Sequence, residues 1–385
     1  MSDKMKAELR KIKPRKDEKP TDMNPRKRVA LVLEHKEPDR IPMDFGGTGV
    51  TGASKEMMER IRNCLGIAQD NDPQFPYFDN AIQKYFDIDF RQINLKSLKP
   101  QIDKDGREID EWGVANYTDG ADNPLRNINR EDLKKYPWPD PYDPRRVEGL
   151  RDYAKYLYHN TDYVLVGQHY MHGLVEGGCR LRGYEQFLID LALNPDWIKE
   201  FFDIMLDLHK KFIEIYLGEI GEYIDVTWIG DDACTQKGPY MSPRMYRELV
   251  KPYFKEIVNT IKQKTRAKVM LHCCGSCSRL IPEYLDAGID ILNPVQPEAL
   301  EMEIEQLKGK HGDRLSFWGG IGLQQVLSRG TTTEVEQVVK DTVNVLGRGG
   351  GYVLAAAHSL PDDVPPENVI TMFETGKKMT YPLHS

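Results

Sequence analysis

The sequence predicts an α/β protein of the (β/α)8, TIM-type barrel class, and three observations carry that prediction. Eight short apolar runs rich in β-branched residues alternate with longer stretches of helical period. The runs are continuous rather than alternating, as parallel strands covered on both faces require. Polar and reactive side chains gather just past the C-terminal ends of the runs, where barrel enzymes keep their chemistry. A chain of 385 residues suits one such barrel with insertions. An open doubly wound sheet is the competing architecture, but it gives no reason for a count of eight.

The elements follow in order. Residues 1–28 carry eleven Lys/Arg against five Asp/Glu and little apolar periodicity, which predicts a solvated basic N-terminal arm. The barrel is assigned to 29–385, and without the arm the formal charge of −7 becomes −7 − 6 = −13. Strands are expected at 41–45, 88–95, 163–168, 224–229, 268–272, 289–293, 315–318 and 352–356. Helical stretches occupy 54–65, 184–220, 243–264 and 333–346, with Ser242-Pro243 as a start signal. Pro195 and Pro252 should divide or kink their helices, since proline removes an amide donor. Between the second and third strands, residues 98–118 read as an inserted β-hairpin with Asp105-Gly106 at the turn, followed by a stiff Pro-rich connector at 137–144. No internal repeat or low-complexity tract interrupts this rhythm.

Composition excludes some functions. No run approaches the roughly 18–20 apolar residues of a membrane span. The acidic balance argues against a nucleic-acid binder, because duplex binding rests on a basic surface. The N-terminus lacks the apolar centre of a signal peptide, so a cytoplasmic location is expected. Six cysteines are too few for a disulfide scaffold. Three of them nevertheless fall within His272-Cys273-Cys274-Gly275-Ser276-Cys277, which points to metal or redox chemistry.

The strand ends supply Asp44, then Gln168 and His169, then Asp231 and Asp232. His272 and Cys274, Gln296, the Gly319-Gly320 pair and His358 follow. Residues two apart in an extended segment share a face, so His272 and Cys274 can converge on one ion. Imidazole with thiolate suits zinc, and three protein ligands with one open position is the catalytic pattern. His358 is the first candidate for the third ligand, with Cys277 and Cys273 as rivals. A Cys274/Cys277 redox pair and a four-ligand structural zinc are the other readings of the cluster. Asp231 and Asp232 are candidate acids, although either could simply cap the following loop.

These segments resemble the uroporphyrinogen decarboxylase superfamily, and more closely its cobalamin-dependent methyltransferase branch. The resemblance spans roughly 40–380. It rests on DDACTQKGPYMSPRMYRELVKPYFKEI (231–257), VMLHCCGSCSRLIPEYLDAGIDILNPVQPEA (269–299), FWGGIG (317–322) and GGGYVLAAAHSLPDDVPPENV (349–369). The superfamily fold is a TIM-type barrel, in agreement with the strand count. The methyltransferases bind zinc through His-x-Cys and a later Cys. His272 and Cys274 match the first two, while AAAHS (355–359) puts His358 where the family cysteine stands. The decarboxylases carry an Arg-Gln-Ala-Gly-Arg-Tyr type segment that DRIPMDFGGTG (39–49) lacks.

The resemblance implies methyl transfer between a small thiol, folate or methoxylated compound and a corrinoid protein, with zinc and cobalamin as cofactors. Asp231, Asp232 and His169 are the expected catalytic groups. Gly319, Gly320, Gln296 and Tyr240 are expected at the cofactor, and Tyr170, Trp228 and Trp318 along apolar walls. One alternative is a metal-free decarboxylase of a tetrapyrrole or other polycarboxylate, using Arg40, Arg180 or Arg182. Another is a non-catalytic corrinoid- or metal-binding accessory protein. Neither a nucleic acid nor a membrane is expected as a partner, and the oligomeric state stays open.

Overall fold

The computed structural model describes residues 23–70, 80–98, 100–102, 106–115 and 123–381, with the side chains of residues 169 and 170 left aside. Residues 1–22 of the basic arm and the turn residue Asp105 therefore lie outside the described residues. The structure is an α/β fold with a mostly parallel, seven-stranded sheet. Its strands are β1 (Phe90–Asn94), β4 (Val164–His172), β5 (Val226–Gly230), β8 (Lys268–His272), β9 (Ile291–Val295), β10 (Ser316–Ile321) and β11 (Tyr352–Ala356), and they follow one another in chain order. Two short antiparallel pairs complete the strands. One joins β2 (Gln101–Ile102) to β3 (Glu108–Ile109), inside the segment read as a hairpin; the other joins β6 (Cys234–Thr235) to β7 (Gly238–Pro239). Among the described residues no helix is long and apolar enough to cross a membrane.

The described residues divide into two compact units, one within 1–91, 162–164 and 304–385, the other within 92–161 and 165–303. In the first unit β10 and β11 pair in parallel, with Gly319 opposite Leu354. The run at 41–45 was expected as a full strand, and here the structure differs. It makes only a bridge, Met43 to Leu354. Asp44 N–H donates to the Leu354 carbonyl, Leu354 N–H to that of Pro42, and Asp89 N–H to that of Met43. The physical reason is Pro42, which has no N–H to extend a ladder.

The boundary of the basic arm also shifts. Pro25–Leu33 is helix α1, capped by Asn24 with Pro25 at its first turn, and Arg28 is buried. The Arg28 guanidinium pairs with Asp39 at 2.7 Å and Asp89 at 2.6 Å. The folded body thus begins before residue 29.

In the second unit β4, β5, β8 and β9 pair in parallel, with Gly230 opposite His272 and His272 opposite Asn293. Helix α2 (Leu174–Arg182) follows β4 directly. The expected helix at 184–220 is two helices, α3 (Tyr184–Leu193) and α4 (Pro195–Ile220), divided at Pro195. Buried Trp197, Phe201, Met205, Leu208, Phe212 and Tyr216 recur every three or four residues along α4, the apolar stripe that seats it. The segment 243–264 starts at Ser242, whose hydroxyl accepts from Met245 N–H. It passes through a wide π turn at Tyr246–Val250 before helix α5 (Lys251–Lys264). Pro252 accounts for that turn, because a residue without N–H cannot bond the carbonyl four positions back.

Candidate active site

The pairing register of the second unit builds the site. Because His272 stands opposite Asn293 in a parallel ladder, their side chains leave the sheet side by side. His272 Nδ1 lies 2.6 Å from Asn293 Oδ1, and His272 Nε2 lies 3.4 Å from Cys274 Sγ. The loop carrying Cys274 is clamped on both sides. Its N–H donates to Asp232 Oδ1 at 2.7 Å, and Gly275 N–H donates to Gln296 Oε1 at 2.6 Å. Gly275 takes φ +85°, and a Cβ there would fall 2.5 Å from the Thr235 carbonyl, so only glycine allows this approach.

Asp231 and Asp232 separate in role. Asp231 is buried, and its Oδ1 accepts from Val175 N–H (2.8 Å) and Glu176 N–H (2.9 Å) at the first turn of α2. It is a helix cap, and burial drives its pKa far above the usual carboxylate range. Asp232 is only partly buried and lies against the Cys274 backbone. Burial pushes its pKa up to about 6, against the pull of His272. A carboxyl poised near 6 can hold or release a proton close to neutrality. The Cys274 thiol is also pushed up, by burial and then by Asp232.

Glu176 and His172 escaped the sequence reading. Glu176 projects from α2 and its pKa is lowered by His172 and His272, which outweigh its burial. His172 Nδ1 lies 3.0 Å from Glu176 Oε1, and Arg180 donates to the same ring while pairing with Asp110 at 3.1 Å. A spacing of four in Glu176-x-x-x-Arg180 on a helix, one turn after a strand-end histidine, was the available signal.

The other expected residues take these places. Tyr240 packs edge-on to Tyr184, with ring centroids 5.9 Å apart. The Trp228 ring lies 5.8 Å from that of His272. Cys273 faces buried Cys234, with sulfurs 4.0 Å apart, and the Tyr284 hydroxyl; buried Cys277 adjoins it. In the first unit Gly319 and Gly320 take positive φ. The Gly319 carbonyl accepts from the Tyr352 hydroxyl, and a Cβ on Gly320 would press on Thr342 and Tyr352. Positive φ favours glycine at both positions, and close packing adds to it at Gly320. Trp318 Nε1 donates to the buried Asp44 carboxylate. His358 follows β11 and is partly buried. The side chains of His169 and Tyr170 lie outside the described residues.

The donor chemistry fits zinc. Tetrahedral ligands at about 2.05 Å (N) and 2.3 Å (S) stand about 3.6 Å apart, close to the 3.4 Å between His272 Nε2 and Cys274 Sγ.

A parallel α/β sheet with histidine, thiol and carboxylates at strand C-termini defines a TIM-like α/β protein. The chain belongs to the uroporphyrinogen decarboxylase family, whose model, described as uroporphyrinogen decarboxylase (URO-D), matches residues 121–379. Among curated relatives, uroporphyrinogen decarboxylase from Prochlorococcus marinus (strain MIT 9515) is 26% identical over 187 residues, 46% of this chain and 50% of the relative. Uroporphyrinogen decarboxylase 2, chloroplastic, from Oryza sativa subsp. japonica is 25% identical over 144 residues, 37% of this chain and 34% of the relative. The chain thus spans about half the length, or less, of the curated relatives it matches. Among solved structures, a methyltransferase from Methanosarcina mazei superposes with TM-score 0.62 at 15% identity, covering 93% of this chain and 99% of that one. That likeness is one of fold.

Proposed function

We propose that the protein is a zinc-dependent methyltransferase, moving a methyl group between a small substrate and the cobalamin of a corrinoid protein. The observation that carries the reading is the His272–Cys274 pair, close to the separation of two zinc ligands and held by neighbouring strand ends. His358 is proposed as the third ligand, which leaves a fourth position for substrate. When bound, zinc supplies Lewis acidity, lowering the pKa of a substrate thiol or polarising a methylated oxygen or nitrogen.

The chain's own residues do the rest. Asp232, beside the Cys274 backbone, takes a proton from an entering thiol or gives one to a departing alkoxide. Glu176 and Asp232 supply the negative charge that favours a cation at the His272–Cys274 pair. Trp228 offers aromatic surface beside His272, and the Tyr184–Tyr240 pair lies within electrostatic reach of Asp232.

The curated relatives favour a second reading, decarboxylation of a polycarboxylate. It needs free arginines, and the expected ones are engaged. Arg40 pairs with buried Asp89 at 2.9 Å, Arg182 with buried Asp190 at 2.7 Å, and Arg180 with Asp110.

Metal analysis tests the primary reading. The purified protein is expected to hold one zinc per chain, and Cys274→Ala, His272→Ala and His358→Ala to lose it. Full activity in metal-free protein sinks the proposal. Retention of zinc in His358→Ala alone moves the third ligand elsewhere.

A further inference from the structure

We infer that Asn293 is a positioning residue for metal binding, acting by fixing the tautomer of His272; this rests on the zinc reading above. A neutral imidazole carries its proton on one nitrogen and its lone pair on the other. In this structure the two nitrogens face different groups. Nε2 points toward Cys274 Sγ, and Nδ1 toward Asn293 Oδ1 at 2.6 Å. Nε2 can act as a ligand only as the lone-pair nitrogen, which puts the proton on Nδ1. A buried Nδ1–H needs an acceptor, and the Asn293 amide oxygen provides one.

The assignment turns on the direction of the amide. With oxygen toward Nδ1, the ring holds the Nδ1–H tautomer and Nε2 is ready to ligate. With the amide reversed, its NH2 donates to Nδ1, the proton moves to Nε2, and His272 cannot bind metal without losing that bond. The two orientations therefore predict opposite metal affinities.

The side-chain oxygen is the amide atom that faces Nδ1, and the backbone holds the two residues together. Asn293 is held in register opposite His272, and its own carbonyl accepts from Cys273 N–H at 2.8 Å. The residue that orients the ring thus also ties down the strand end from which Cys274 follows. Asn293 is 1% exposed in the strand sequence Ile-Leu-Asn-Pro-Val, otherwise wholly apolar and buried. A polar side chain at such a position is costly unless it has a partner that matters.

The test uses the full chain with two readouts. Nitrogen shifts of histidine-labelled, chelator-treated protein report the tautomer, with His272→Ala assigning the signal. Competition with a chromophoric chelator reports zinc affinity. Wild type is expected to show the Nδ1–H form. Asn293→Asp, which keeps an acceptor, should hold both the tautomer and the affinity. Asn293→Ala should lose the preference and bind zinc about 10–100-fold more weakly, with unchanged circular dichroism. An Asn293→Ala protein that keeps both, or an Asn293→Asp protein that loses as much as Asn293→Ala, overturns the inference. If wild type binds no zinc, the metal reading fails while the nitrogen shifts still decide the role of Asn293.

Discussion

Single carboxylates in this protein are set by their surroundings, and Asp44 allows that to be measured. Its oxygens accept from Gly47 N–H and Trp318 Nε1, yet burial outweighs both and raises its pKa from 3.8 to about 6. The folded state therefore holds this proton more tightly than the unfolded chain does. The contribution is complete below about pH 4 and is lost as the pH rises through about 6. From the shift, its size is up to about 3 kcal/mol. Urea unfolding at pH 4.5 and pH 7 should show the wild type losing stability over this range, and Asp44→Asn losing less. An identical slope in both proteins removes Asp44 from the account. At the same scale the closeness of His272 and Cys274 was legible in the sequence, because two residues of strand period share a face. The sequence concealed Asn293, which sits in a run that reads as purely apolar, and Glu176, whose meaning depends on α2 facing the end of β8.

At the scale of elements, the sequence reading succeeded where hydrophobic period and proline agree. Seven of the eight apolar runs became sheet strands, Pro195 marks the break in one long helical stretch, and Pro252 follows the π turn in the other. The run at 41–45 shortened to a bridge because Pro42 lacks a donor, a local veto that apolar content does not register. Helix α2 illustrates what pattern alone leaves open. Its cap comes from Asp231, 55 residues past the Glu176 N–H that it accepts, so no local capping signature exists. Asp231→Ala is expected to lower stability by about 1–2 kcal/mol, the cost of a lost cap. Asp231→Asn should cost less, since its amide oxygen can still accept. Zinc content should survive in both. If Asp231→Ala abolishes metal binding without altering thermal unfolding, the carboxylate belongs to the site chemistry instead.

The charge of the whole molecule bears on the choice between the two proposed readings. The chain carries a net −7, and residues 29–385 alone carry −13. The groups at the strand ends of the second unit repeat that bias, with Asp232 and Glu176 near the His272–Cys274 pair and Arg180 tied to Asp110. A polycarboxylate would bring several negative charges to acidic surroundings, with Arg40 and Arg182 already committed to buried aspartates. A thiol or a methylated ether brings none, and a bound zinc ion would gain from both carboxylates. The expected outcome is therefore asymmetric. Incubated with methylcobalamin and a panel of thiols, the zinc-loaded protein should convert the methylcobalamin spectrum at a rate that Cys274→Ala reduces by at least about 100-fold, the scale of losing a Lewis acid. Uroporphyrinogen under the same conditions should lose no carbon dioxide. Decarboxylation by chelator-treated protein, with no change in methylcobalamin, would reverse the assignment and require a carboxylate anchor other than Arg40, Arg180 and Arg182.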